Sequence, residues 1–278
     1  MATIASVAGL FVYPLKSARA VALERARVTA TGFQWDRQWM LINARGTFLS
    51  QRTHPQLARV VPEITAEGLT LHAPGQGELR VPMAADGEPL AVRVHRDPCV
   101  GLAQGRAADE WVSRAVGETV RLVRVPSHPL RRANPAFAAT TPALMGFADG
   151  FPILVCNEAS LGDLNARMPQ SIPMERFRPN IVLRGLPAWA EDRIDTLTVG
   201  ELTLRLVKPC TRCTIPAVDQ RTGLPSSDPA PVLRSFRFDR ELRGATFGEN
   251  AVIAAGEGCE IALDEACALT FDARPCGS

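Results

Sequence analysis

Two thiols three residues apart, with a guanidinium between them, are the most chemically specific feature of this 278-residue chain, in the run Lys208-Pro209-Cys210-Thr211-Arg212-Cys213. A thiolate beside a fixed positive charge is a ready metal ligand or nucleophile. Three chemistries use such a pair. A structural zinc site needs two further Cys or His ligands; the next cysteine is Cys259, and His54, His72, His95 and His128 all lie upstream. A thioredoxin-like redox pair sets its first Cys at a helix N-terminus, which Pro216 and the Asp219–Gly223 turn oppose. The third is one soft thiolate on a transition metal that another group mainly holds. Two ordinary buried thiols are the plain alternative.

Other residues could meet an anion. Lys16-Ser17 follows Tyr13-Pro14-Leu15 at a strand end and offers an ammonium, a hydroxyl and backbone N–H groups. Arg37, next to Asp36, is either a fork for phosphate or half of a surface ion pair. Pro179 biases Arg178 toward extended backbone, and Asn180 adds a donor and an acceptor. In Asp149-Gly150-Phe151 the glycine permits close approach of a ligand to the backbone. Each motif taken alone is more often structural. Together they ask for a phosphorylated, hydrogen-bonding cofactor that carries a metal.

Short strands punctuated by Gly and Pro must position these groups. The pattern predicts strands over 5–13, 21–29, 38–43, 69–73, 79–82, 91–95 and 119–125, and a helix over 107–116. The Pro-rich basic stretch 126–135 reads as a linker or surface loop. Beyond it the pattern predicts a strand over 152–156 and a helix over 158–168 capped by Asn157. A further strand at 180–183 precedes a hairpin of 194–199 and 202–207 around Gly200-Glu201. Leu202, Leu204 and Leu206 alternate with Thr203 and Arg205, so one face is buried and one is wet; this strand delivers the thiols into a following loop. Residues 251–271 read as two strands. The expected fold is α+β, predominantly β, with a β-rich domain at 1–125 and a barrel-like domain at 126–278.

Composition limits the function. A hydrophobic content of 46% and a charged content of 22% are those of a globular protein. A net charge of +2 without an aromatic–basic stripe argues against nucleic acid. No apolar run reaches membrane-spanning length, and the N-terminus lacks a basic leader, so a cytoplasmic location is expected. Seven scattered cysteines favour reduced thiols over a disulfide framework.

With these motifs in this order, the chain resembles the MOSC family, in the branch with an N-terminal MOSC β-barrel domain. The resemblance runs through Tyr13–Ser17, Asp36-Arg37, Asn157–Leu161, Phe177–Asn180, Trp189–Asp192, Cys210–Gly223 and Phe247–Asn250. It implies a molybdenum cofactor of the molybdopterin type. By position, Cys213 matches the molybdenum ligand, and so the catalytic cysteine, while Cys210 does not. Lys16, Ser17, Arg37, Asp149, Gly150, Phe151, Arg178, Asn180, Thr211, Arg212 and Asn250 match cofactor contacts. Gly150, Phe151 and Asn250 depart from residues that some relatives carry there. Pyridoxal phosphate binding is a further property that the resemblance implies.

The implied activity is reduction of small N-oxygenated compounds such as hydroxylamines and amidoximes. Electrons would come from a separate carrier of ferredoxin, flavin or cytochrome type, since no four-cysteine iron–sulfur pattern is present. No nucleic acid or membrane partner is expected, and a monomer is the default. A carrier of sulfur or of the cofactor itself, working through Cys213, is the alternative from another class. A non-catalytic module that contacts a nucleotide is a third.

Overall fold

Alternation of buried leucines with polar residues makes Leu202–Thr211 a strand, and the Gly200-Glu201 loop folds it antiparallel onto Ile194–Val199. Gly200 has φ +55°, the first position of a two-residue II′ loop. The strand runs further than its alternation predicts. It continues past Val207 to Thr211, pairing with Gly244–Ala255 through irregularities between Leu206 and Lys208 and between Pro209 and Thr211. Pro209 has no N–H for the ladder, and a bulge is where a sheet accommodates it. Cys210 therefore belongs to the strand, and only Arg212 and Cys213 lie beyond it.

The computed structural model describes residues 5–65, 67–83, 86–128, 130–138 and 143–271; Cys276 lies outside them. The fold is α+β and predominantly β. Its main sheet runs in the order Val21–Leu23, Ser6–Val12, Ile181–Arg184, Ile153–Asn157, Gly244–Ala255, Leu202–Thr211, Ile194–Val199 and Cys267–Phe271. The last strand returns to the second. Ser6 bridges Ala266, Val7 N–H donates to Glu265 O at 3.0 Å, and Cys267 N–H donates to Ala5 O at 2.8 Å. Closure removes the free edges that an open sheet would expose. Val7, Leu10, Val155, Ile181, Leu183, Leu197, Val199, Leu204 and Ala251 fill the interior.

A second core lies under Trp39–Ile42, Arg121–Arg124 and the helix Arg106–Val116, where Leu41, Leu57, Leu69, Trp111 and Leu122 pack. Several expectations change. The segment 21–29 is two strands, Val21–Leu23 and Arg25–Thr29, which join different sheets. The tail holds three strands: Gly244–Ala255, Glu260–Ala262 and Cys267–Phe271. The capped helix ends at Ala166, and Asn157 Oδ1 accepts from Ala159 N–H at 3.2 Å as expected. A short helix, Ala230–Phe236, arises from a Pro-rich stretch that carries no clear period; Leu233 buries it.

The stretch 126–135 is not a bare linker. Arg131–Arg132 pairs with Leu144–Met145, and the buried Arg131 guanidinium donates to Ala148 O at 2.6 Å and to Gly146 O at 3.3 Å. It also pairs with Asp97 at 2.6 Å. A basic residue in this stretch is thus the clamp that shapes the turn leading into Asp149.

Candidate functional site

Tyr13, the chain's single tyrosine, is fully buried and organises one wall of a cleft. Its ring carries the guanidinium groups of both Arg37 and Arg178, each 4.1 Å from the centroid. Its hydroxyl donates to Pro179 O at 2.9 Å. Burial pushes the phenol up, against the pull of the two arginines, so Tyr13 stays a neutral donor at physiological pH. Burial likewise lowers Arg178 to about 10, which leaves it charged at neutral pH. Arg178 Nη1 donates to Ala18 O at 2.7 Å.

Arg37 does not hold a free fork. Its Nη1 donates to Asp36 Oδ2 at 2.5 Å and to Asn180 Oδ1 at 3.2 Å, and its Nη2 donates to Arg178 O at 3.3 Å. Nor is Asp36–Arg37 a surface pair, because the Asp36 side chain is only 1% exposed. Asn180 braces the same corner: its Oδ1 accepts from Leu154 N–H at 3.1 Å and its Nδ2 donates to Phe11 O at 3.1 Å.

Backbone strain concentrates here. Among the described residues eight non-glycine positions have positive φ, and Ser17 (69°), Arg37 (47°) and Arg178 (58°) all line this cleft. Each costs roughly 1–2 kcal/mol relative to relaxed backbone. Such strain persists only where the surroundings over-determine it, and it clusters at functional sites.

Lys16 stands 5% exposed at the cleft floor. Its Nζ donates to Phe147 O at 2.7 Å and pairs with Asp149 Oδ1 at 2.5 Å. Burial lowers the ammonium below its ordinary value, and the Asp149 pairing offsets part of that. Asp149 opens into the cleft and also meets His95 Nε2 at 2.9 Å. Partial burial raises its carboxyl, but Lys16 and His95 outweigh this and hold it well below the usual carboxylate range.

A group with a depressed folded pKa contributes stability that is present above its unfolded value and lost as pH falls through the folded one. In Asp149→Asn we therefore expect a lower Tm at neutral pH and a shallower loss of Tm on acidification below about pH 4. Lys16 without its partner is lowered further, so the deficit shrinks as pH rises toward the lysine range. Thermal scans across pH check this; parallel curves for the two proteins would contradict the pairing.

The guanidinium between the two thiols makes its choice in the fold. Arg212 Nη1 lies 2.9 Å from Cys210 Sγ, and Nη2 donates to Phe177 O at 2.6 Å. The group lies 5.2 Å from the Phe177 ring centroid, and Phe177 stacks on Phe247 with centroids 3.9 Å apart. Arg212 Nε is buried with no hydrogen-bond partner. Cys210 is half-buried beside this arginine, whereas Cys213 is exposed at the mouth. Among the described residues no three Cys, His, Asp or Glu side chains gather around a metal position, so a zinc ion on the thiol pair would find no further protein ligands.

Lys16, Ser17, Arg37, Asp149, Gly150, Phe151, Arg178, Asn180, Thr211, Arg212, Cys213 and Asn250 all line this one cleft, a cavity of about 140 Å³ that opens to solvent. They arrive from six separate stretches of sequence. Phe48, Ser50, Arg52, Leu154, Phe177 and Ile215 line it as well. Phe48, Ser50, Arg52 and Leu154, with Arg131 and His95, stood in no motif; only the fold brings them in, whereas Phe177 and Ile215 come with the runs Phe177–Asn180 and Cys210–Gly223. Asp149 is the one carboxylate in the lining, against five cationic side chains, so the cleft favours an anion. A side-chain carbon at Gly150 would meet nothing within 4 Å, so the backbone faces open space there.

Residues 4–119 match the MOSC N-terminal beta barrel domain and residues 143–266 match the MOSC domain. Mitochondrial amidoxime-reducing component 1 of Mus musculus is 32% identical over 256 residues, spanning 88% of this chain and 75% of that protein. The Homo sapiens component 1 is 32% identical over 266 residues, 90% of this chain and 79% of that one. Among solved structures, the Bacillus subtilis YUAD protein gives a TM-score of 0.41 at 9% identity, over 95% of this chain and 93% of that one. These comparisons lend no support to pyridoxal phosphate binding or to a cytoplasmic location. Among the described residues no helix is long and apolar enough to cross a membrane.

Proposed function

The chain belongs to the MOSC-domain family of the mitochondrial amidoxime-reducing components, and on that premise we propose that it is a molybdenum-cofactor-dependent reductase of N-hydroxylated compounds. The observation that carries this reading is a single cleft with an excess of cations, strained backbone and an exposed thiol at its mouth.

The residues present suit the group. The pterin phosphate is an anion, and Lys16, Arg52, Arg178 and Arg212 supply the cationic field for it. The unpartnered Arg212 Nε is a buried donor that a ligand can satisfy. Gly150 leaves its backbone open to a flat ring system. Cys213 would ligate the metal through a soft sulfur, while Ser17, Asn180, Thr211 and Asn250 would bind the pterin. Arg37, Asp36 and Tyr13 would hold the geometry of that wall. Asp149 would stay a carboxylate that holds the Lys16 ammonium and the His95 ring in place.

When bound, the cofactor would supply two-electron reduction of an N–O bond, consuming two protons and releasing an amine-type product and water. Electrons would come from a separate donor protein. The working unit would be a monomer, with an N-terminal domain over 1–125 and a MOSC domain over 126–278.

The test is the protein purified from a host that makes molybdenum cofactor. Near-stoichiometric molybdenum and pterin, with reduction of benzamidoxime by a chemical electron donor, is the expected result. A well-folded protein with sulfane sulfur on Cys213 and no molybdenum would overturn it in favour of the sulfur- or cofactor-carrier reading.

A further inference from the structure

Just outside the cleft lining, two side chains that no cofactor contact uses, Phe137 and Lys208, lie beside Phe151 and Asn250 of that lining. Phe151 lines the cleft and is half-buried. Phe137, from the short helix Pro135–Ala138, packs edge-on against it, with ring centroids 6.3 Å apart at 77°. Phe137 is 36% exposed, one of four large hydrophobic side chains that remain so among the described residues. Lys208 Nζ sits 4.4 Å from the Phe137 centroid. Asn250, on the neighbouring strand, donates from Nδ2 to Lys208 O at 3.1 Å and so fixes the backbone that carries this lysine.

An exposed aromatic edge costs hydration free energy unless something covers it, and an ammonium held over a ring is already partly desolvated. Both features are met by one ligand, with a flat ring against Phe151 and Phe137 and an acid group at Lys208. We infer that this rim selects an aromatic N-hydroxylated substrate that carries a carboxylate, with Phe137 and Lys208 as its specificity-determining residues. The inference rests on the reductase reading for the reaction, but not for the binding.

The charge pattern supports the carboxylate. Inside the cleft Lys16 faces Asp149 and Arg37 faces Asp36, whereas the Lys208 ammonium sits over the Phe137 ring. A neutral or cationic substrate would leave that ammonium unanswered. A purely aliphatic one would leave the ring edges uncovered.

The experiment uses the molybdenum-loaded full chain with acetamidoxime, benzamidoxime and 4-carboxybenzamidoxime. The expected order of kcat/KM is lowest for acetamidoxime and highest for 4-carboxybenzamidoxime. Lys208→Gln should lower kcat/KM about tenfold for the carboxylated compound alone, the size of one charge-assisted hydrogen bond. Phe137→Ala should lower both aromatic compounds and leave acetamidoxime unchanged. Equal preference for all three compounds, or a uniform loss in both variants, overturns the inference. If none is turned over, the reductase reading falls, and calorimetric binding of 4-carboxybenzamidoxime decides the rim by itself. A Kd that rises about tenfold in Lys208→Gln sustains it; no binding, or equal Kd in both proteins, overturns it.

Discussion

On the proposed reading, Cys213→Ser should purify folded, without molybdenum and without N-reductive turnover. Serine keeps the size and the loop but replaces a soft sulfur by a hard oxygen, which matches the metal poorly. The expected loss of metal and activity exceeds about a hundredfold, above the 10–100-fold typical of residues that only support a ligand. Cys210→Ser is the control. Cys210 lies in the strand and touches Arg212 at 2.9 Å, so its loss should disturb the arginine and lower metal content within that 10–100-fold range. Neither thiol is a candidate for holding the barrel together, because Cys213 is exposed and Cys210 half-buried. Thermal stability should therefore stay near that of the parent in both. Metal retained in Cys213→Ser but lost in Cys210→Ser would reverse the assignment of the ligand.

Arg178→Ala should lose both cofactor and stability. The arginine is 9% exposed, stacks on Tyr13 and donates to Ala18 O at 2.7 Å, so truncation empties a packed site and orphans an acceptor. The φ of +58° is borne by arginine and alanine alike, so it adds nothing to the difference. The combined cost should be about 2–4 kcal/mol, read as a lower Tm. Arg178→Lys separates charge from shape. It keeps a cation but not the planar group that stacks on the ring and forks between partners. Molybdenum content should then fall between parent and Arg178→Ala, with Tm largely restored. Full molybdenum content in folded Arg178→Ala would remove Arg178 from the cofactor contacts.

Much of the architecture is local and was legible as such. Alternation at Leu202, Leu204 and Leu206, the Gly200-Glu201 loop and the Asn157 cap are dictated by residues within a few positions of one another. Their periods and turn preferences act before any tertiary contact forms. The twelve candidate residues were legible for another reason. They stand in motifs whose order resembles a known family, and the fold then brings all of them to one cleft. What the side chains do there is another matter. Arg37 reads as a phosphate fork or as half of a surface pair; in the fold it lines the cleft while its pair with Asp36 is buried. Arg131 reads as part of a basic linker and proves to be the clamp under Asp149.

By itself, then, the sequence determined the strands, their turns, the predominance of β structure and the residues on which chemistry can rest. These follow from side-chain period, backbone preference and residue type, all of which act over short stretches of chain. Only the tertiary structure decided how the barrel closes, through Ser6 and Ala266, and which acceptor each cation takes. Arg212 turns to Cys210, Lys16 to Asp149 and Arg178 to Tyr13, while Lys208 is left at the rim with its ammonium over an exposed ring. A guanidinium or ammonium satisfies whichever acceptor or ring packing places within a few ångströms, and that distance is set by contacts between segments remote in the chain.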